Sequence, residues 1–183
     1  MIKILQKESP VLRQKSKEVP TSEISSEKIK KVLKKMQDAL DSQDDGVAIA
    51  APQIGELWRI FIVSGKVKQI LELSKNNPDL ETDFTKIKKE KPDEIYINPV
   101  IIKKSRKTEM MEEGCLSVRW LYGEVKRAEK VSIEAYNEKG EKIKRGASGL
   151  LAQIFQHEID HLDGILFIDK AQSIEEILPE QNT

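Results

Sequence analysis

Ile29, Val32, Leu33, Met36 and Leu40 recur at helical intervals among lysines, which gathers them into one apolar stripe. Ser25 or Ser26 precedes the stripe as a capping hydroxyl, so a helix is expected from there to about Asp41, with Asp44-Asp45-Gly46 ending it. Arg59-Ile-Phe-Ile-Val-Ser64 has the length and apolar character of a strand. Ile95-Tyr-Ile-Asn98 and Val100-Ile-Ile102 are also strand-like. Pro99 between them predicts an edge or a bend, because proline donates nothing to a ladder. Val131–Tyr136 alternates, Asn137-Glu-Lys-Gly140 turns the chain with a positive φ at the glycine, and Glu141–Arg145 returns as a hairpin partner. The lysine-rich stretch 65–92, with Asn76-Asn77-Pro78 as a turn signal, reads as a surface excursion holding one short helix.

The last periodic segment runs from a Ser148 cap to a stop at Gly164. Leu150, Ile154, His157 and His161 share one face, and Leu151, Phe155, Ile159 and Leu162 make a second. Gln153, Gln156, Asp160 and Asp163 fill the remaining stripe. A helix apolar over most of its girth must be largely buried, which makes it the central helix of an α+β fold.

At 183 residues the chain suits one domain, residues 1–183, with a sizeable core. Its 31 basic and 31 acidic side chains cancel, so no global field points to DNA or to an anionic membrane. No segment approaches the roughly 20 apolar residues of a membrane span, and the start lacks a secretory pattern. A single cysteine excludes an intramolecular disulfide framework and fits the reducing cytoplasm.

That cysteine and the only two histidines carry the candidate chemistry. His157 and His161, four apart on a helix, point the same way and grip one cation. Glu158 lies about 100° round the helix from His157, placed to handle the proton of a water beside the cation without ligating it. The alternative is a pair of core histidines bonded to carbonyls. It leaves Glu158 ionised between two apolar faces, which is costly without a partner. Cys115, in Glu113-Gly114-Cys115-Leu116-Ser117, adds a thiolate where Gly114 allows close backbone approach. Three protein ligands leave a fourth position open, as catalytic sites require. Gly46-Val-Ala-Ile-Ala-Ala-Pro-Gln53 reads either as a buried small-residue strand or as a substrate-approach strand with the Gln53 amide aimed at an oxyanion.

Together the three segments resemble the peptide deformylase family, whose motifs take the forms Gly-x-Gly-x-Ala-Ala-x-Gln, Glu-Gly-Cys-Leu-Ser and Gln-His-Glu-x-Asp-His. They stand here, in that order, at Gly46–Gln53, Glu113–Ser117 and Gln156–His161, and the likeness extends from Pro10 to Asp169. The resemblance implies antiparallel sheets around the motif helix, Cys115, His157 and His161 as ligands of one divalent metal, and Glu158 as the acid/base. It also implies Gln53 and the Leu116 N–H as oxyanion donors, and an ion pair between Glu113 and Arg127 behind the site. The metal implied is Fe²⁺, with zinc, nickel or cobalt able to occupy the site. The substrate implied is the N-formyl-methionyl end of nascent peptides at the ribosome exit, processed by a monomer. The expected peptide-binding residues are Gly46, Val47, Ala48 and Gly114 with Met111, Leu150 and Ile154; Val47, Met111, Leu150 and Ile154 form the side-chain pocket. Ala48 departs from the family glycine, and its methyl group is expected to pack beneath the strand. The C-terminus after Asp169 is short and acidic, with little sign of a long ribosome-docking helix. The rival readings are a zinc peptidase of broader specificity and a non-catalytic metal-binding domain. Cys115 argues against the former, whose common versions use a carboxylate or a third histidine.

Overall fold

The computed structural model of the chain describes residues 2–76 and 84–178. Its elements are helix α1 (Glu27–Asp41), strands β1 (Ala48–Ala50) and β2 (Ile60–Val63), helix α2 (Gly65–Asn76) and strands β3 (Glu94–Lys104), β4 (Thr108–Gly114), β5 (Leu121–Ala128), β6 (Lys130–Tyr136) and β7 (Lys142–Ser148), then helix α3 (Gly149–Leu162) and strand β8 (Gln172–Glu176). Antiparallel pairing builds a five-stranded sheet in the order β1-β2-β3-β6-β7 and a three-stranded sheet in the order β4-β5-β8. The fold is α+β.

Alternation along the strands gives the larger sheet two apolar faces. Ala48, Ala50, Phe61 and Val63 meet Phe155 and Ile159 of α3, whereas Ile49, Ile60 and Ile62 meet Ile29, Val32 and Met36 of α1. Phe61 stacks on Tyr96 at 4.8 Å, and Tyr96 meets Phe155 edge-on at 5.1 Å, which pins α3 against the sheet. The smaller sheet closes over a third cluster containing Leu12, Val125 and Phe167. Before α1 the chain is an irregular arm tied at distant points. Leu5 N–H donates to the Gln53 carbonyl at 2.8 Å, Ser16 N–H to the Leu162 carbonyl at 2.8 Å, and Lys17 N–H to the Leu57 carbonyl at 2.9 Å.

The helix ends follow their local chemistry. Ser26 caps α1, its hydroxyl accepting from Ile29 N–H at 3.3 Å. Ser148 holds the capping place of α3 without a side-chain bond. At the other end, Gly164 adopts φ 76°, and Ile165 N–H bonds the Asp160 carbonyl at 2.9 Å while Gly164 N–H bonds the His161 carbonyl at 3.1 Å. This pair of bonds closes the helix just after the second histidine. A Cβ on Gly164 would also lie 2.7 Å from the Arg13 carbonyl, so nothing larger fits.

Two sequence expectations need correction. Pro99 marks a bend but not an edge. β3 runs unbroken between β2 and β6, and its register to β6 shifts at Ile97/Val100, where Asn98 takes φ 52°. The bulge removes the need for a proline N–H. The excursion after Gly65 is not wholly a surface feature, because α2 buries Val67 and Ile70; Asn77 and Pro78 lie outside the described residues. Gln156 belongs to the interior, its amide bridging the backbone of Ala128 through bonds of 3.0 Å in both directions. The acidic C-terminal stretch forms β8, which pairs with β5. No helix among the described residues is long and apolar enough to cross a membrane.

Candidate active site

β4 ends at Gly114, which delivers Cys115 beside α3. Cys115, His157 and His161 each offer one ligand atom, and these atoms lie within 4.8 Å of one another. The Cys115 Sγ is 3.2 Å from His161 Nε2. His157 donates from Nδ1 to Glu113 Oε2 at 2.8 Å, which leaves the Nε2 lone pair able to serve a cation. Burial lowers the proton affinity of His161 well below the usual imidazole range, which keeps the ring in the neutral, ligating form. At His157 burial acts in the same direction, but contacts with Cys115 and Glu113 outweigh it and raise the pKa.

Glu158 is the next residue round the helix and only 4% exposed. Its Oε2 has no hydrogen-bond partner among the described residues, and burial pushes its pKa up to about 7. A buried carboxyl without a partner costs free energy that packing alone does not return. An adjacent cation and a substrate proton would both relieve it. A thiolate, two imidazoles and an idle carboxyl fit a divalent metal.

Behind this cluster, Arg127 donates to both oxygens of Glu113, at 2.7 and 2.9 Å, and to Asp160 at 2.6 Å. Burial raises the Glu113 pKa, but bonds from Arg127 and His157 overcome it and hold the group at about 2. The ion pair expected from the sequence is present and buried on both sides.

A cleft of about 330 Å³ opens beside the three ligands. Its walls include Val47, Ala48, Gln53, Gly114, Cys115, Leu116, Leu150, Ile154, His157 and Glu158. Two expected peptide-binding residues, Gly46 and Met111, are not among them. Gly46 is small for a packing reason, since a Cβ there would meet Leu40 at 2.9 Å. Met111 pairs with Val125 in the smaller sheet. In the Gln53 segment β1 is a buried small-residue strand, and Gln53 stands in the cleft wall. Its Oε1 accepts from Ala50 N–H at 2.8 Å, and its Nε2 donates to the Ser117 hydroxyl at 3.0 Å, 3.6 Å from the Cys115 sulfur.

Ala48 is 6% exposed and belongs to the cluster between the sheet and α3. Ala48→Gly is therefore expected to cost about 0.5–1 kcal/mol of stability through added unfolded-state entropy. KM for a formylated peptide should change little; thermal melts beside steady-state kinetics check both. A large fall in KM at unchanged stability would mean the methyl group obstructs substrate.

A sequence profile describing the polypeptide deformylase family matches residues 1–176. The chain belongs to that family. It is 41% identical over 162 residues to peptide deformylase 2 of Clostridium acetobutylicum, covering 88% of this chain and 89% of the relative. Among solved structures, the actinonin complex of a class I type b peptide deformylase from Acinetobacter baumannii superposes with a TM-score of 0.75 at 28% identity, over 94% of this chain and 99% of the other. The peptide deformylase of Synechococcus elongatus with actinonin gives 0.74 at 31% identity, over 94% of this chain and 79% of that one.

Within this deformylase fold the sequence reading overlooked several participants. Ser117, the last residue of the cysteine motif, orients Gln53. Gln6 donates to the Leu116 carbonyl at 3.0 Å from 110 residues away, a contact with no local signal. Asp45, Arg119, Trp120 and Tyr122 join the cleft walls, and Asp160 is a second anchor for Arg127.

Proposed function

We propose that this chain removes the N-formyl group from the initiator methionine of nascent polypeptides by metal-dependent hydrolysis, releasing formate and a free amine. The observation that carries the proposal is the convergence of Cys115, His157 and His161 beside the unpartnered Glu158 carboxyl, in a cleft walled by apolar side chains. The whole chain acts as one catalytic domain, a reading supported by a profile match that spans nearly all of it.

Cys115, His157 and His161 would hold the divalent cation, which when bound supplies Lewis acidity to water and to the formyl oxygen. Glu158 takes a proton from the attacking water and returns it to the departing amine. Gln53 Nε2 and the Leu116 N–H donate to the formyl oxygen as negative charge develops there. Ala50 and Ser117 fix the plane of the Gln53 amide and hold its Nε2 beside Cys115. Val47, Leu150 and Ile154 receive the methionine side chain. Formyl carries hydrogen where larger acyl groups carry carbon, so close walls exclude them.

One thiolate and two imidazoles suit Fe²⁺ as well as Zn²⁺. Family likeness favours Fe²⁺, and a reducing cytoplasm preserves the thiolate. The enzyme works as a monomer on peptides leaving the ribosome. The test pairs metal analysis of anaerobically purified protein with formate release from formyl-Met-Ala-Ser and hydrolysis of acetyl-Met-Ala-Ser. About one iron per chain and turnover of the formyl peptide alone are expected. Cleavage of both peptides would point instead to a general metallopeptidase, and bound metal without turnover to a binding domain.

A further inference from the structure

The cleft is bounded by parts of two sheets that share no strand pairing. One wall is β1, an outer strand of the larger sheet, with the loop that leads into it. The other is the segment after β4 that carries Cys115, Leu116 and Val118 and continues into β5. At the floor the walls are joined by the bond from Gln53 to Ser117. At the mouth they are joined again. Arg119 donates to both carboxylate oxygens of Asp45, one at 3.0 Å, and to Gln43 Oε1 at 2.8 Å, across 74 residues of sequence from Asp45. Its guanidinium also lies 5.1 Å from the ring of Trp120, another wall residue. Both Arg119 and Asp45 line the cleft.

We infer that Arg119 and Asp45 form a positioning pair that sets the distance between the two cleft walls, and so the affinity for the peptide lying between them. The inference rests on the deformylase reading. Both partners sit at the ends of short segments that lead directly into the site. Asp45 is followed by Gly46, Val47 and Ala48, and Arg119 is preceded by Cys115, Leu116, Ser117 and Val118. With the mouth tie removed, the Val118–Tyr122 part of the wall, beyond the Gln53–Ser117 tie, is free to swing outward. Contacts with the peptide weaken at the mouth, whereas the groups at the floor keep their places. Binding changes and chemistry does not. A bidentate guanidinium–carboxylate pair, half withdrawn from solvent and reinforced by an amide, holds geometry better than an exposed lysine pair does.

The test measures formate release from formyl-Met-Ala-Ser by metal-loaded wild type, Arg119→Ala, Arg119→Lys and the charge-swapped double variant Arg119→Asp/Asp45→Arg. Arg119→Ala should raise KM about 3–10-fold with kcat within about twofold and metal content unchanged. Arg119→Lys should fall between it and wild type, and the swapped pair should recover part of the lost affinity. Amide hydrogen exchange in residues 118–122, measured without peptide, should quicken in Arg119→Ala and slow again in the swapped pair. The exchange measurement needs no turnover, so a wild type that releases no formate would defeat the deformylase reading while leaving the tie itself measurable. Unchanged KM and unchanged exchange in Arg119→Ala would overturn the inference. So would an equal loss of kcat and kcat/KM, because that places the effect at the floor.

Discussion

Glu158→Gln is expected to keep its metal and lose about 10²–10⁴-fold in kcat, the range that general acid–base groups contribute. The substitution preserves shape and removes only the ability to take and return a proton. Glu158 is absent from the cluster of Cys115, His157 and His161, so the ligand count does not change. Its Oε2 makes no hydrogen bond among the described residues, so no structural bond at that oxygen is lost. Stability should hold or rise, since a buried carboxyl is replaced by an uncharged amide. Metal analysis, thermal melts and formate release on one preparation separate these effects. Metal loss as severe as that of His157→Ala would remove Glu158 from its assigned role.

Arg127→Met carries the largest expected loss of stability. It leaves Glu113 buried and ionised and deprives Asp160 of one of its two cationic partners, Lys170 remaining. Removing one partner of a buried pair typically costs about 3–5 kcal/mol. For a chain of this size that corresponds to a fall in Tm of roughly 6–20 °C. The damage should reach the metal as well, because Glu113 is the group that orients His157 through Nδ1. Outer partners of metal-binding histidines are worth about 10–100-fold in affinity. Urea titration and competition with a chelator measure the two losses. The double variant Arg127→Met/Glu113→Gln should be less destabilised than the sum of its parts, since the stranded carboxylate is gone. Strict additivity would show that the two side chains do not act as a pair.

The portions of the fold visible in the sequence are those where one period dominates. The α1 stripe, the β6–β7 hairpin with its positive-φ Gly140 (φ 80°), and the apolar α3 ending at Gly164 all followed from spacing. β4 and β5 did not. Thr108–Gly114 alternates weakly and faces solvent at Glu109, Met110 and Glu112, so its strand character comes from pairing with β5 and not from burial. The candidate metal cluster was readable because two of its members lie on one helix and the third is the only cysteine. Gln6, Asp45 and Arg119 were not, because their partners are remote in sequence and polar surface residues carry no period. Met111 lies on β4 opposite Val125, outside the walls of the cleft. Its strand position was unread, so the face it presents was unread too.

The long-range ties of the N-terminal arm bear on the order in which this enzyme forms. The arm's hydrogen-bond partners lie at Gln53, Leu57, Asn98 and Leu162, the last of them near the far end of the chain. During synthesis the ties to Gln53, Leu57 and Asn98 can form first, whereas the bond from Ser16 to Leu162 waits until α3 has been made. High contact order of this kind slows folding, since the entropy of closing a long loop is lost before any contact repays it. Leu12 packs with Val118, Val125, Leu166 and Phe167, so its side chain is covered only once those late residues are in place. A protein that trims the beginnings of other chains completes the anchoring of its own N-terminal arm only after α3 is in place.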